Sequence, residues 1–182
     1  MPYNAKLPAG LYRQVIGETY DQLPEILRRF HDAPDRSTVT GTFQVTRGAG
    51  VLRNIVAGLM GLPSAGEAVP VHLAIQLAGA RELWVRTFGN QRFVTRQWYC
   101  NGLLIEAAGP VRFGFRVTAS PAHMEFFMER FWLHSLPVPL AMAPRVHAVV
   151  YGRGSSWWTI VQVEAPLIGL LVKYEGEMIP EC

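Results

Sequence analysis

A chain of 182 residues suits one domain with a sizeable core and is marginal for two, and 49% hydrophobic with 17% charged residues excludes the disordered class. Seventeen Lys and Arg against fourteen Asp and Glu leave a formal charge of +3, but the basic residues are mostly dispersed arginines. No cluster of the kind that tracks phosphates is present, so nucleic acid is not an expected partner.

Cys100 and Cys182 are the only cysteines; neither has metal-ligand spacing, and both read as free thiols. The first residues lack the apolar core of a signal peptide, and no apolar run reaches the length of a spanning helix. The expectation is a cytoplasmic protein that is not transmembrane.

In chain order, residues 11–31 place Leu11, Val15, Ile16, Tyr20, Leu23, Ile26, Leu27 and Phe30 at helical spacing. Pro24 lacks an N–H and disfavours helix before it, so two helices are predicted, the second from about Gln22 or Leu23. His31 closes the segment, as a protonated C-terminal residue or a core one rather than a catalytic one. Residues 39–47 alternate, with Val39, Phe43 and Val45 on one face of a strand. Residues 51–62, VLRNIVAGLMGL, read as a glycine-weakened helix that must lie on something apolar. An ordinary core helix is favoured over a lid on a barrel mouth; insertion into a bilayer surface is disfavoured, because Arg53 is its only charge.

Residues 71–77 form a further strand, and residues 81–99 a hairpin. Gly89-Asn90 is a two-residue turn signal, which pairs Phe88 with Gln91, Arg86 with Phe93 and Trp84 with Thr95 on one face. Because arginine is rarely fully buried, that face is read as exterior; if it is interior, Arg86 must meet a carboxylate or an anionic ligand. Strands follow over 103–107, 111–118 and 122–133, the last with imperfect alternation. The proline-rich 136–144 reads as an extended connection, and strands resume over 145–151, 157–164 and 170–178. The fold class is mainly β: an antiparallel β-barrel or strongly curved sheet, with an N-terminal helical segment and one short helix after the first strand. One domain over 1–182 is expected, with a helical flank over 1–35 and a barrel-like body over 36–182.

The segments LYRQVIGETYDQLPEILRRFHD, RGAGVLRNIVAGLMGLPSAGEAVPV, LWVRTFGNQRF, GPVRFGFRV and APLIGLLVKYEG span nearly the whole chain. In them the sequence resembles a bacterial family of domains of unknown function, often fused to or encoded beside saccharopine-dehydrogenase-like or epimerase-like NAD(P)-binding proteins. The resemblance implies a dehydrogenase-like partner by association, and no activity or catalytic residue. No G-x-G-x-x-G follows a strand, so dinucleotide binding in that manner is not expected.

No nucleophile motif and no histidine metal motif is present, so neither a metal nor another cofactor is expected. What remains are acids and bases on the sheet: Glu106, Glu125 and Tyr174 as catalytic candidates, and Trp84, Arg86, Phe88, Phe93 and Tyr174 as ligand-binding ones. The leading expectation is a barrel that binds a hydrophobic small molecule, lipid- or isoprenoid-like, with a polar or anionic end. Two alternatives stand beside it. One is an isomerase or cyclase in the same cavity, which requires Glu106 or Glu125 to point inward near Tyr174 or Arg86. The other is a non-catalytic module that packs on a dehydrogenase-like partner.

Overall fold

The computed structural model describes residues 10–33 and 36–181; Cys182 and nearly all of the segment read against a signal peptide lie outside them. The predicted N-terminal helices are α1 (Leu11–Ile16) and α2 (Glu25–His31), with a 3-10 turn over Gly17–Gln22 between them. Pro24 is itself the residue that precedes α2, so the second helix begins slightly later than Gln22 or Leu23.

Eleven strands follow among the described residues. They are β1 (Arg36–Arg47), β2 (Gly66–Ala78), β3 (Arg81–Phe88), β4 (Gln91–Cys100), β5 (Leu103–Ala108), β6 (Val111–Ala119), β7 (His123–Leu133), β8 (Leu136–Val138), β9 (Arg145–Arg153), β10 (Ser156–Ala165) and β11 (Gly169–Pro180). One further helix, α3 (Val51–Leu59), lies between β1 and β2. All pairings are antiparallel, and the β6–β7 and β1–β11 ladders close ten of the strands into a barrel, with the short β8 added beside the end of β7. Closure leaves the barrel strands without a free edge, the problem that so many alternating strands pose.

The core is the inward set of alternate residues. Val39, Phe43 and Val45 of β1 are buried, as are Val71 and Leu73 of β2 and Phe113, Phe115 and Val117 of β6. On β7 the imperfect alternation has a local cause. Phe115 pairs with Met128 but Gly114 with Arg130, so Glu129 is an extra residue, and Phe131 rather than Arg130 returns to the buried face. The proline-rich connection contains β8, three residues beside the end of β7, before the chain turns into β9.

The N-terminal helices close one end of the barrel. Tyr12, Tyr20 and Leu27 are buried, and α2 lies against β9 and β10. Gly152 makes that seat possible, since a Cβ there would come within 2.3 Å of the Pro24 Cβ. His31 is in the core, stacked on Tyr12 with ring centroids 3.7 Å apart. Of the two roles expected for it, a protonated helix terminus and a core position, His31 takes the core one, buried and neutral at the end of α2.

The opposite end carries α3. Only Ala57 of this helix is buried, while Val51, Leu52, Ile55 and Leu59 are exposed, so the expectation of an ordinary core helix is also corrected. The helix ends in a Schellman turn at Gly61, at φ +66°: the Leu62 N–H bonds Ala57 O at 2.9 Å and the Gly61 N–H bonds Gly58 O at 3.0 Å. This reverses the chain and sends Met60 and Leu62 into the barrel mouth. Arg47 Nη1 holds the reversal by donating to Leu62 O and Pro63 O at 2.9 and 2.8 Å, and Gln91 Nε2 donates to Leu62 O at 3.0 Å. Among the described residues no helix is long and apolar enough to cross a membrane.

Candidate functional site

The hairpin turn predicted at Gly89-Asn90 forms as expected, and with it the register: Phe88 pairs with Gln91, Arg86 with Phe93 and Trp84 with Thr95. That face is interior, not exterior. A single guanidinium can be tolerated there because its charge is matched. Arg86 Nη1 donates to Glu106 Oε1 at 3.1 Å and to Thr95 Oγ1 at 2.9 Å, and the guanidinium lies 4.7 Å from the Trp84 ring centre and 5.9 Å from that of Phe93. The Arg86 and Glu106 side chains are 16% and 18% exposed, and what they are exposed to is a cavity.

That cavity occupies the middle of the barrel and has a volume of about 180 Å³. Its wall is largely apolar, with Phe88, Phe93, Phe113, Phe126 and Trp157 among the lining residues, and Met60 and Leu62 line it at the α3 end. Arg86, Thr95, Gln97 and Glu106 form a polar group on the wall from β3, β4 and β5, and Thr159 of β10, Tyr174 of β11 and Tyr12 and His31 of the helical plug also line the cavity. Arg86 directs only Nη1 at protein acceptors; its Nε and Nη2 donors have no partner among the described residues.

Two tyrosines stand near this pair. Burial pushes the Tyr174 hydroxyl up to about 12, with the Arg86 charge opposing and the Glu106 charge adding to the shift, so it is a neutral O–H at ordinary pH. It has no hydrogen-bond partner among the described residues, and its ring packs on Phe43 and Phe88. Tyr12 donates to Gln97 Oε1 at 2.9 Å, and burial, then the nearby Glu82 and Glu106 charges, holds its hydroxyl well above the tyrosine range. Glu82 lies deeper at the plugged end. It accepts a hydrogen bond from Trp84 Nε1 at 2.8 Å, and burial raises its carboxyl above the usual range while that bond opposes the rise.

The structure therefore gathers Trp84, Arg86, Phe88, Phe93, Glu106 and Tyr174 into one interior and leaves Glu125 out. Glu125 alternates with the inward Met124 and Phe126, so it points outward, where its Oε1 lies 2.6 Å from His147 Nε2. Because both partners are partly exposed, Glu125→Gln should change the urea-derived stability by less than about 1 kcal/mol and leave binding in the interior unaltered. Gln97, Glu82 and Tyr12 join this interior without having been expected from the sequence. The first two continue the face already defined by Trp84 and Thr95, two residues further from the turn, so extending the alternation finds them. No signal distinguishes Tyr12 from the other apolar residues of α1.

A family model for a domain of unknown function, DUF4166, matches residues 23–178. The chain belongs to the DUF4166 family. The matched residues contain α3 and the interior cluster of Arg86, Glu106 and Tyr174, with Tyr12 outside them. A search of curated proteins found no match for this DUF4166 chain.

Proposed function

We propose that this DUF4166 domain binds a compact hydrophobic small molecule with a polar end inside the barrel. The observation that carries the reading is a largely apolar cavity lined by Arg86, whose Nε and Nη2 donors have no partner among the described residues. At about 180 Å³ the space is close to the ~150 Å³ apolar cavity that takes benzene. It suits one ring or a short chain, and a long lipid or isoprenoid would have to project through the α3 mouth.

The ion pair refines the polar end. Arg86 and Glu106 are neutral together, so an uncharged acceptor such as a hydroxyl or carbonyl can take the free Arg86 donors without placing a second anion beside Glu106. Calorimetric titration with 1-octanol and octanoate tests this: octanol should bind at least tenfold tighter. Ala148→Phe, which fills the cavity wall, should abolish octanol binding in a folded protein. Equal affinity of Ala148→Phe and wild type would remove the cavity from the function, and octanoate as the tighter ligand would restore an anionic end. Mass spectrometry of an organic extract of the purified protein would identify a resident ligand.

One observation favours a second reading, an isomerase or cyclase. Glu106 faces inward within hydrogen-bond distance of Arg86, the placement that proton-transfer chemistry requires. Conversion of the extracted ligand by wild type but not by Glu106→Gln would establish it, and an unchanged ligand assigns carriage instead. The third reading, packing on a dehydrogenase-like partner, draws its support from exposed apolar surface and none from the interior.

A further inference from the structure

Exposed apolar side chains are not scattered over this barrel. Of the fourteen large hydrophobic residues exposed among the described residues, nine lie at the α3 end. Val51, Ile55 and Leu59 are spaced four apart and form one stripe with Leu52, with exposures of 78, 54, 80 and 57%. This stripe is the outer face of α3; its inner face is held down by Ala57 and by Arg53, which donates to Ile168 O of the β10–β11 turn and to Ala49 O. At the tip of that turn Leu167 is fully exposed at φ +65°, a conformation that glycine or asparagine adopts at less cost. Across the mouth, Leu136 and Met142 of the β7–β9 connection are exposed at 70 and 73%. Apolar exposure gathered at one end of the barrel in this way marks a surface that meets something apolar.

Charge indicates what that is. Apart from the interior pair, the charged residues on α3 or within two positions of the strand ends at this mouth are Arg47, Arg53, Arg92, Arg112 and Arg145, against Glu67 and Glu164. Arg92 and Arg145 are exposed and have no ion-pair partner among the described residues. Exposed apolar residues with Arg92 and Arg145 free of ion pairs at the same end match the two layers of an anionic lipid surface, acyl chains beneath phosphates. The polar face that α3 lacks as an isolated helix is not needed, because the barrel occupies its other side. We propose that the α3 end docks on an anionic phospholipid bilayer, with the α3 stripe and Leu167 in the interface and the cavity mouth toward the lipid. This goes beyond ligand binding and supplies its route, since a hydrophobic molecule could pass between membrane and cavity without crossing water.

Co-sedimentation with vesicles of phosphatidylcholine and phosphatidylglycerol at 3:1 tests the proposal. Wild type should partition onto them, at least fivefold less onto pure phosphatidylcholine, and less in 0.5 M NaCl. Ile55→Glu with Leu59→Glu should lower the partition coefficient at least tenfold, with circular dichroism and urea midpoint verifying the fold. Arg92→Glu with Arg145→Glu, which leaves α3 untouched, should lower binding to the anionic vesicles alone. Ala148→Phe should sediment like wild type even where octanol binding is lost, so failure of the cavity reading and failure of docking are separate results. Absence of wild type from both vesicle pellets overturns the proposal. So does a dimer in light scattering that Ile55→Glu with Leu59→Glu dissociates while vesicle binding is unchanged, because a second copy would then cover the face.

Discussion

Arg86→Leu should lower the unfolding free energy by about 3 kcal/mol, and adding Glu106→Leu should return most of it. The guanidinium and carboxylate are both largely removed from solvent and meet at 3.1 Å. Deleting the cation leaves Glu106 facing an apolar wall without its partner, and breaking a buried pair in this way costs about 3–5 kcal/mol. The lower end applies because the cavity gives the carboxylate partial access to water. Removing both charges replaces an ion pair by apolar groups, which is often neutral, so the double variant should lie within about 1 kcal/mol of wild type. Glu106→Gln should cost less than Arg86→Leu, because the guanidinium keeps Thr95 and the faces of Trp84 and Phe93. Urea midpoints of the four proteins give the coupling directly. An Arg86→Leu protein as stable as wild type would mean that the pair is screened by water and that the interior is wetter than its apolar lining suggests.

The same pair marks how far the sequence could be read. Alternation and one turn signal sufficed to set the β3–β4 register, because side-chain period and loop length leave no freedom once Gly89-Asn90 is the turn. They could not assign the face to the inside. That choice depended on whether Arg86 would find a carboxylate, and Glu106 arrives from β5 only when the strands pair in order. Glu125 shows the converse: aromatic neighbours on β7 suggested a buried acid, but in the folded strand it alternates with the inward Met124 and Phe126 and points outward. The role of α3 was illegible for another reason. Its apolar residues cover both sides of the helix, and only the closed barrel decides which stripe is seated and which is left bare. The β7 pattern was blurred by one inserted residue, Glu129, whose bulge becomes visible only against β6.

Between pH 7.5 and pH 5, wild type should lose about 2 kcal/mol of stability relative to His31→Phe. Burial pushes His31 down to about 3, against about 6.5 in an unfolded chain. The ring is stacked on Tyr12, with Phe30 and Trp84 also against it, and its Nδ1 is buried with no partner among the described residues. Among the described residues no carboxylate forms an ion pair with it to offset the cost of a charge. In this window the unfolded chain binds a proton that the folded protein refuses, so the stabilising effect is complete above about pH 6.5 and is lost as pH falls toward 3. Each pH unit between those values contributes up to about 1.4 kcal/mol, which gives about 2 kcal/mol by pH 5. Phenylalanine fills a similar shape, carries no proton and removes an unpaired buried nitrogen, so at pH 7.5 the variant should match or exceed wild type. Carboxylates titrate in both proteins and cancel in the difference. Parallel urea denaturation curves for the two proteins across this range would show that His31 is solvated or paired, and would place the plugged end of the barrel in contact with water.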